Sequence, residues 1–259
     1  MLAQEKEKKL LSIVIPVHDS QDYTRECIEA IYQCTRDYEV VVVDNGSREP
    51  VPFGGKIIRN EENLGFPKAV NQGINAATGD FICVINNDCV VTPHWWDYIQ
   101  EHMVNGADLV GPMTNKISGP QQIHVPIYNN MEELGRVAGV FHAENFHKYM
   151  YFYRLVGFCL VFRRSVIDRI GSFDEQFGMG NFEDDDFCFR AVEAGFQLRI
   201  AQDTYVHHYG SITHHAMDVE YDKLLKENMV KFTKKWGKKL EEGLITNKEE
   251  DYYEKERRF

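Results

Sequence analysis

Three kinds of signal are missing from this 259-residue chain, and each absence argues against a class of protein. No apolar run is long enough to cross a bilayer, and no apolar core follows the N-terminal MLAQEKEKK, so neither a membrane span nor a signal peptide is expected. No CxxC pair occurs among the six cysteines, which argues against a zinc cage and favours a reduced, cytoplasmic protein. GxGxxG and GxxxxGK[ST] are both absent, so neither common phosphate loop is available.

Positive charge is also scarce. The chain has 29 Lys and Arg against 40 Asp and Glu, a formal net charge of -11. This balance argues against nucleic acid or an anionic membrane as the main partner, but local Lys and Arg can still face a small anionic ligand. Hydrophobic residues make up 43% of the chain, enough for one large α/β domain or two small ones. We expect a cytoplasmic protein that can also lie at the periphery of a membrane.

Short apolar runs that end in polar residues predict strands buried on both faces. They alternate with segments of helical spacing, an order typical of a doubly wound parallel sheet flanked by helices. The predicted strands are residues 12–17, 39–43, 56–59, 81–88, 107–111, 155–162, 197–201 and 204–207. Three predicted helices start near Ser20, Pro67 and Pro93. Four more are predicted at residues 131–153, 163–170, 183–194 and 221–236.

The polar residues that end the run FICVINND are the first candidate site. Ligands bind beyond the carboxyl ends of strands in open α/β sheets, and Asp88 would stand at such an end with no basic neighbour in sequence. A carboxylate there suits a hard divalent cation shared with the phosphates of a substrate. The alternative is a polar turn, because Asn and Asp are ordinary turn residues.

The second candidate site is the run of four carboxylates from Glu183 to Asp186. It falls in the first turn of a predicted helix, where the helix dipole favours each carboxylate by roughly 0.3–1 kcal/mol. That effect accounts for one or two of them. Four in a row repel one another, so a positive group is expected nearby.

Seven segments, in order along the chain, resemble the inverting glycosyltransferases of family 2, which have the GT-A fold. They are SIVIPVHD, VVVDNGS, NLGFPKAVNQGI, TGDFICVINND, GFCLVFRR, FGMGNFEDDDFCFR and HHYGS. The resemblance implies an α/β, GT-A-type, mostly parallel sheet in a single domain over residues 11–236. About 11–110 would form the nucleotide-binding half and about 111–236 the acceptor-binding half, with an extension at 1–10 and a charged tail at 237–259.

The resemblance also implies a donor site for a nucleotide-diphosphate sugar, either a UDP- or a dTDP-sugar. Asp44 would bind the base, and Asp88 would hold Mn²⁺ or Mg²⁺ against the diphosphate. A histidine after the last strand, His207 or His208, would be a further metal ligand, with His214 and His215 as other candidates. The implied donor-binding residues are Pro16, Val17, His18, Asp44, Arg59, Lys68, Asn71, Asn86, Asn87 and Asp88.

The implied reaction transfers a hexosyl or deoxyhexosyl group, with inversion, to an acceptor hydroxyl. Asp184 would be the general base that removes the hydroxyl proton, with Glu183 as a second catalytic residue. The acceptor would contact Gly157, Phe158, Glu183 and Asp185. It could be a glycan, a lipid-linked glycan or a protein, in polysaccharide or glycoconjugate biosynthesis.

Two other functions remain open at this point. A sugar-nucleotide nucleotidyltransferase also uses an α/β sheet, but its glycine-rich basic loop is absent after the first strand, where the sequence is Val17-His18-Asp19-Ser20. A catalytically silent scaffold on the same fold would be expected to lose Asp88 or the acidic run, and this chain keeps both.

Overall fold

A computed structural model describes residues 10–210 and 218–242, and this part of the chain forms one nine-stranded sheet with helices packed against it. Val- and Ile-rich runs supply most of the strands, because branched side chains pack well on a pleated surface. The strands are β1 Leu11–Val17, β2 Tyr38–Asn45, β3 Lys56–Asn60, β4 Phe81–Ile85, β5 Cys89–Val91, β6 Leu109–Met113, β7 Tyr149–Tyr151, β8 Cys159–Arg163 and β9 Leu198–His208.

The strand order is β3-β2-β1-β4-β8-β6-β9-β5, and β7 pairs with β9 off this path. The first four strands in that order are parallel to their neighbours. From β8 onward the sheet is mixed: β8 is antiparallel to β4 and to β6, whereas β6 and β9 are parallel. The predicted α/β class is therefore confirmed, and the antiparallel pairs belong to the second half of the chain.

Helices occupy the predicted connections. Pro67 lies at the start of α2, where its missing N–H is no loss. The helices are α1 Gln21–Cys34, α2 Phe66–Ala76, α3 Trp95–Val104, α4 Met131–Asn145, α5 Arg164–Ile170, α6 Glu183–Glu193 and α7 Asp218–Glu241. A short 3-10 turn covers Glu175–Phe177. None of the described helices is both long and apolar enough to span a bilayer.

Several segments differ from the sequence prediction. The strand expected at 155–162 begins only at Cys159, and the strand expected at 81–88 ends at Ile85. The segment 131–153 is not one helix, since α4 ends at Asn145 and the aromatic residues after it form β7, which pairs with β9. The two short strands expected at 197–201 and 204–207 are one continuous strand, β9, whose neighbours change along its length. The helix expected at 221–236 is longer, from Asp218 to Glu241, and residues 243–259 of the expected tail lie outside the described chain.

The core lies on both faces of the sheet. One cluster joins α1, α3 and α4 to one face, and a second joins α2, α5 and α6 to the other. A third, smaller cluster of Phe177, Phe189, Phe232 and Trp236 attaches α7 to α6. Burying these apolar groups, at about 25 cal/mol per Å², fixes where the carboxyl ends of the strands and the start of α6 lie.

Candidate active site

A tight turn at residues 86–88 separates β4 from β5 and presents Asp88. The amide N–H of Asn86 donates to the carbonyl of Phe158 (2.8 Å), and that of Cys89 donates back to the carbonyl of Asn86 (3.2 Å). The side chain of Asn87 turns away and donates to the hydroxyl of Thr24 in α1 (2.8 Å). Asn86 thus holds the turn through its backbone and Asn87 through its side chain, and the turn presents the buried side chain of Asp88.

His208 is the histidine that faces Asp88. Strand β9 runs antiparallel to β5 with Cys89 opposite His208, and the N–H of Tyr209 donates to the carbonyl of Asp88 (3.0 Å). The distance from His208 Nε2 to Asp88 Oδ1 is 3.2 Å. On its other side, His208 Nδ1 lies 2.8 Å from the carbonyl oxygen of Lys116, so this nitrogen carries the proton that it donates.

The remaining ring nitrogen of His208 fits a metal ligand. Nε2 is buried and has no hydrogen-bond partner, although the carboxylate of Asp88 lies beside it. With the proton on Nδ1, two electron-pair donors face each other, and a cation between them would relieve their repulsion. A histidine whose other nitrogen donates to a backbone carbonyl is the usual state of a metal-bound imidazole. Asp88, Cys89 and His208 all offer ligand atoms within 4.8 Å of one another.

His207 points elsewhere. Its Nδ1 is hydrogen-bonded to the hydroxyl of Tyr128, and its ring packs edge-on against Tyr209 at 4.5 Å. Burial, with a smaller contribution from His208, lowers the pKa of His207 to about 4. Of the two histidines predicted as metal ligands, His208 therefore has the better geometry, while His214 and His215 lie outside the described residues.

The predicted base, Asp184, stands in the first turn of α6 and is held at both oxygens. Oδ2 accepts from the N–H of Gly157 (2.8 Å), and Oδ1 accepts from the N–H of Asp185 (2.9 Å). A Cβ at Gly157 would lie 3.3 Å from the Cβ of Asp184. Glycine at 157 thus lets the backbone approach the carboxylate closely.

One short segment, Gly157-Phe158, connects the two acidic sites. Gly157 donates to Asp184, and the ring of Phe158 stacks on His208 with 5.4 Å between centroids. The carbonyl of Phe158 accepts from the N–H of Asn86 and from the thiol of Cys89 (3.4 Å). Asp184 and His208 thus contact neighbouring residues of one dipeptide, and the turn that carries Asp88 is bonded to the second of them.

The positive group expected beside the acidic run is Arg154, which pairs with Asp185. Burial and the neighbouring Asp184 nevertheless raise the pKa of Asp185 to about 7. Burial and Asp184 also raise the pKa of Glu183 well above its usual value, and Glu183 Oε2 has no hydrogen-bond partner. These two carboxyls are thus poorly solvated, and Glu183 is able to donate a hydrogen bond when it is protonated.

The carboxylate of Asp186 is bonded to side chains of α6 and α7 and not directed toward Gly157. Its oxygens accept from Arg190 Nε (2.8 Å) and from Trp236 Nε1 (2.8 Å), and Lys235 Nζ lies 2.7 Å away. Asn228 of α7 donates to the carbonyls of Phe177 and Gly180, both at 2.7 Å, in the loop before α6. The last helix therefore supports the acidic turn, a role that its amphipathic pattern alone does not reveal.

On the donor side, Asp44 is buried and already bonded. Its oxygens accept from the N–H groups of Ser47 (3.0 Å) and Val51 (3.1 Å) and from Arg59, which also donates to the carbonyl of Ser47 (2.9 Å). Burial opposes ionisation, but the hydrogen bonds from Ser47, Val51 and Arg59 lower the pKa of Asp44 below its usual value. Asp44 and Arg59 thus form one rigid unit at the end of β2.

The other predicted donor residues have mixed surroundings. Pro16 and Val17 end β1 and are buried, and His18 contacts the carbonyl of Asn45 through Nδ1 (3.1 Å). Lys68 is exposed on α2. Asn71 bonds with both ends of its amide to the segment 173–175, so its observed contacts are structural.

Comparison with known proteins identifies the class of the domain. The family model described as glycosyl transferase family 2 matches residues 12–171. The chain therefore belongs to glycosyl transferase family 2, and the resemblance drawn from its motifs is confirmed.

Two curated relatives are glycosyltransferases. The chain is 27% identical over 201 residues to the pre-mycofactocin glycosyltransferase of Mycobacterium tuberculosis, covering 73% of this chain and 40% of the relative. It is 24% identical over 210 residues to the glycosyltransferase AglE of Haloferax volcanii, covering 74% of this chain and 64% of the relative. The chain thus spans less than two thirds of the length of either relative.

Solved structures confirm the GT-A fold. GalNAc-T7 with UDP, GalNAc and Mn²⁺ gives a TM-score of 0.62 at 14% identity over 79% of this chain and 44% of that one. The mannosyltransferase PcManGT from Pyrobaculum calidifontis, in complex with GDP-Man and Mn²⁺, gives 0.57 at 16% identity over 81% of this chain and 59% of that one. TarS 1–349 of S. aureus gives a TM-score of 0.54 at 18% identity over 77% of this chain and 60% of that one.

Proposed function

We propose that this domain is an inverting glycosyltransferase that uses a UDP- or dTDP-sugar and a divalent cation. The observation that carries the proposal is that Gly157 contacts Asp184 and Phe158 contacts His208, whose Nε2 lies 3.2 Å from Asp88. It supports a cleft in which a diphosphate and an acceptor hydroxyl meet on opposite faces of one sugar. The solved neighbours with UDP or GDP-Man and Mn²⁺ support the same class of donor.

In this proposal Asp88 and His208 would hold the cation, Mn²⁺ or Mg²⁺. A divalent ion at this position supplies electrostatic stabilisation of the negative charge that develops on the leaving diphosphate. The backbone carbonyl of Lys116 accepts the proton of His208 Nδ1, which leaves the lone pair of Nε2 directed toward the site. Phe158 covers the imidazole and excludes water from one side of it.

Asp184 would remove the proton of the acceptor hydroxyl as the oxygen attacks the anomeric carbon. The N–H groups of Gly157 and Asp185 fix the carboxylate in one orientation, and each oxygen keeps a further lone pair that can accept. Glu183 would bind an acceptor hydroxyl through its unpartnered oxygen. Arg154 would neutralise Asp185 and limit the repulsion that Asp184 experiences.

The test is hydrolysis of a panel of nucleotide-diphosphate sugars with and without Mn²⁺, on wild type and on Asp88→Ala. We expect slow release of nucleoside diphosphate from one or a few donors, lost in Asp88→Ala. Asp80→Ala is the matched control, because Asp80 is an exposed carboxylate just before the opposite end of β4.

The other outcomes are informative. Release of pyrophosphate would favour a nucleotidyltransferase, and no reaction or binding with any donor would favour a scaffold. Once a donor and an acceptor are known, the anomeric configuration of the product, read by NMR, tests inversion directly. Retained configuration would contradict the role proposed for Asp184.

A further inference from the structure

The proposed cation site has a thiol, Cys89, beside Asp88 and His208, although Mn²⁺ and Mg²⁺ prefer oxygen ligands. Cys89 lies directly opposite His208 in the antiparallel β5–β9 ladder, so the two side chains leave the same face of the sheet. The thiol is fully buried, and its sulfur lies within 4.8 Å of ligand atoms of both Asp88 and His208. The thiol donates to the carbonyl of Phe158 (3.4 Å).

We propose that Asp88, Cys89 and His208 also form a three-ligand site for a thiophilic divalent cation, Zn²⁺ above all. The inference concerns the same site as the proposed function and rests on it in part. Three protein ligands of oxygen, sulfur and nitrogen, with a fourth position open, form a donor set typical of Zn²⁺. The unpartnered Nε2 of the buried His208, directed at Asp88, is the sign that a cation belongs there, and the adjacent thiol is what favours a thiophilic one.

The ligand chemistry predicts discrimination between cations. Mn²⁺ and Mg²⁺ prefer oxygen ligands, and Mn²⁺ is the weakest binder of the divalent first-row series, whereas Zn²⁺ gains from thiolate and imidazole together. When Zn²⁺ binds, the S–H bond of Cys89 breaks, a sulfur–zinc bond forms, and the proton leaves to solvent. The ion would then compete with Mn²⁺ for Asp88 and His208, and we expect Zn²⁺ to inhibit Mn²⁺-dependent turnover.

Other cysteines near the site have different surroundings. Cys83 is equally buried in β4, but its sulfur faces that of Cys159 at 4.0 Å and belongs to the core. Cys83→Ala is therefore the matched control for Cys89→Ala, since both remove one buried thiol and only one of them removes a ligand.

The experiment uses Co²⁺ as a spectroscopic probe and Zn²⁺ in equilibrium dialysis, both on the full chain. In wild type we expect a thiolate-to-cobalt charge-transfer band and Zn²⁺ binding at least about tenfold tighter than Mn²⁺. Cys89→Ala should lose the band and about tenfold or more in Zn²⁺ affinity, a larger factor than any loss in its Mn²⁺ affinity. Cys83→Ala should keep both wild-type properties.

A cobalt complex of the wild type without the charge-transfer band would overturn the proposal, and this result needs no variant to fold. An unchanged Zn²⁺ affinity in a folded Cys89→Ala would overturn it as well. If either occurs while Asp88→Ala still abolishes Mn²⁺-dependent donor hydrolysis, the thiol role is wrong and the proposed function stands. If no nucleotide sugar is hydrolysed but the cobalt band is present, the thiol role stands and the proposed function is wrong.

Discussion

Two groups of buried carboxylates stand at different ends of the proposed cleft, and their surroundings are opposite. Asp44, at the end of β2, accepts hydrogen bonds from Ser47, Val51 and Arg59, and its pKa is lowered. Glu183 and Asp185, at the start of α6, have raised pKa values, and one oxygen of Glu183 has no partner. Asp44 is stabilised as an anion, whereas burial and the neighbouring Asp184 disfavour the ionised forms of Glu183 and Asp185.

This difference indicates where chemistry can occur. Asp44 accepts from two backbone N–H groups and from an arginine, so it is held as an anion that is suited to shape a pocket and not to take up a proton. A cluster that is buried and short of donors resembles sites in which burial and like charges tune titratable groups. Ionised Glu183 and Asp185 therefore lower the stability of the folded state, whereas Asp186 is paired with Arg190 and Lys235. Substitutions of these carboxylates should change the free energy of unfolding in different directions.

The largest effect is expected at the proposed base. Asp184→Asn preserves an oxygen that can accept from Gly157 but cannot take a proton, so kcat should fall about 10³-fold or more. The dissociation constant of the donor should change less than about twofold, because the cation ligands are untouched. Steady-state kinetics and donor titration on the same preparation measure both quantities. Full turnover in Asp184→Asn would show that the base is another residue.

The next effect concerns stability at Asp186, two residues away. Asp186→Asn leaves Arg190 and Lys235 without their shared anion beside Trp236, and we expect a loss of about 3 kcal/mol in the free energy of unfolding. Urea denaturation measures it. A Lys238→Ala control removes an exposed ion pair of the same helix with Glu242 and should cost less than about 1 kcal/mol. Equal losses in the two variants would contradict the anchoring role of Asp186.

The sequence predicts much of this arrangement because its signals are local. The strand runs, the turn at Asn86-Asn87-Asp88 and the start of α6 all follow from patterns within ten or so residues. The resemblance then predicts that Asp88 and Asp184 face one cleft. The contacts that bring them together, through Gly157-Phe158, span 27 residues to Asp184 and 69 residues to Cys89 and have no local signature.

The same reasoning explains what the sequence did not reveal. Arg154 follows an aromatic stretch of poor periodicity, so nothing nearby identifies it as the partner of Asp185. Asn228 and Trp236 are hidden in a helix whose pattern indicates only one apolar face. The choice between His207 and His208 depends on which side of β9 faces Asp88, and strand alternation alone does not assign that side.

A smaller effect is expected at the satisfied carboxylate. Asp44→Asn keeps one acceptor oxygen but loses the charge that Arg59 faces, so unfolding free energy should fall by about 2 kcal/mol. Thermal denaturation measures it, and Arg48→Ala, which removes a highly exposed arginine paired with Asp19, should change it little. Because Asp44 is the proposed base-binding residue, donor affinity should fall as well. Unchanged affinity would remove Asp44 from the donor site.

The effect of opposite sign is expected at Asp185. Its pKa is about 7 in the folded protein and near 3.8 otherwise, so between these values the folded state binds more protons than the unfolded state. Stability should therefore rise as pH falls from 8 toward 5, by at most about 1.4 kcal/mol per pH unit for this group. Asp185→Asn should be more stable than wild type at pH 8, by on the order of 1 kcal/mol, and should flatten the pH dependence.

Chemical denaturation at pH 5, 6, 7 and 8 on wild type and Asp185→Asn measures this difference. Some slope should persist in the variant, because Glu183 also has a raised pKa and is released from the same strain when it is protonated. Asp186→Asn, in the same turn but with its charge fully compensated, should lose stability at every pH, in contrast to Asp185→Asn. If both variants lost stability equally at pH 8, Arg154 would be compensating the acidic turn fully, and the distinction between strained and satisfied carboxylates would not hold within α6.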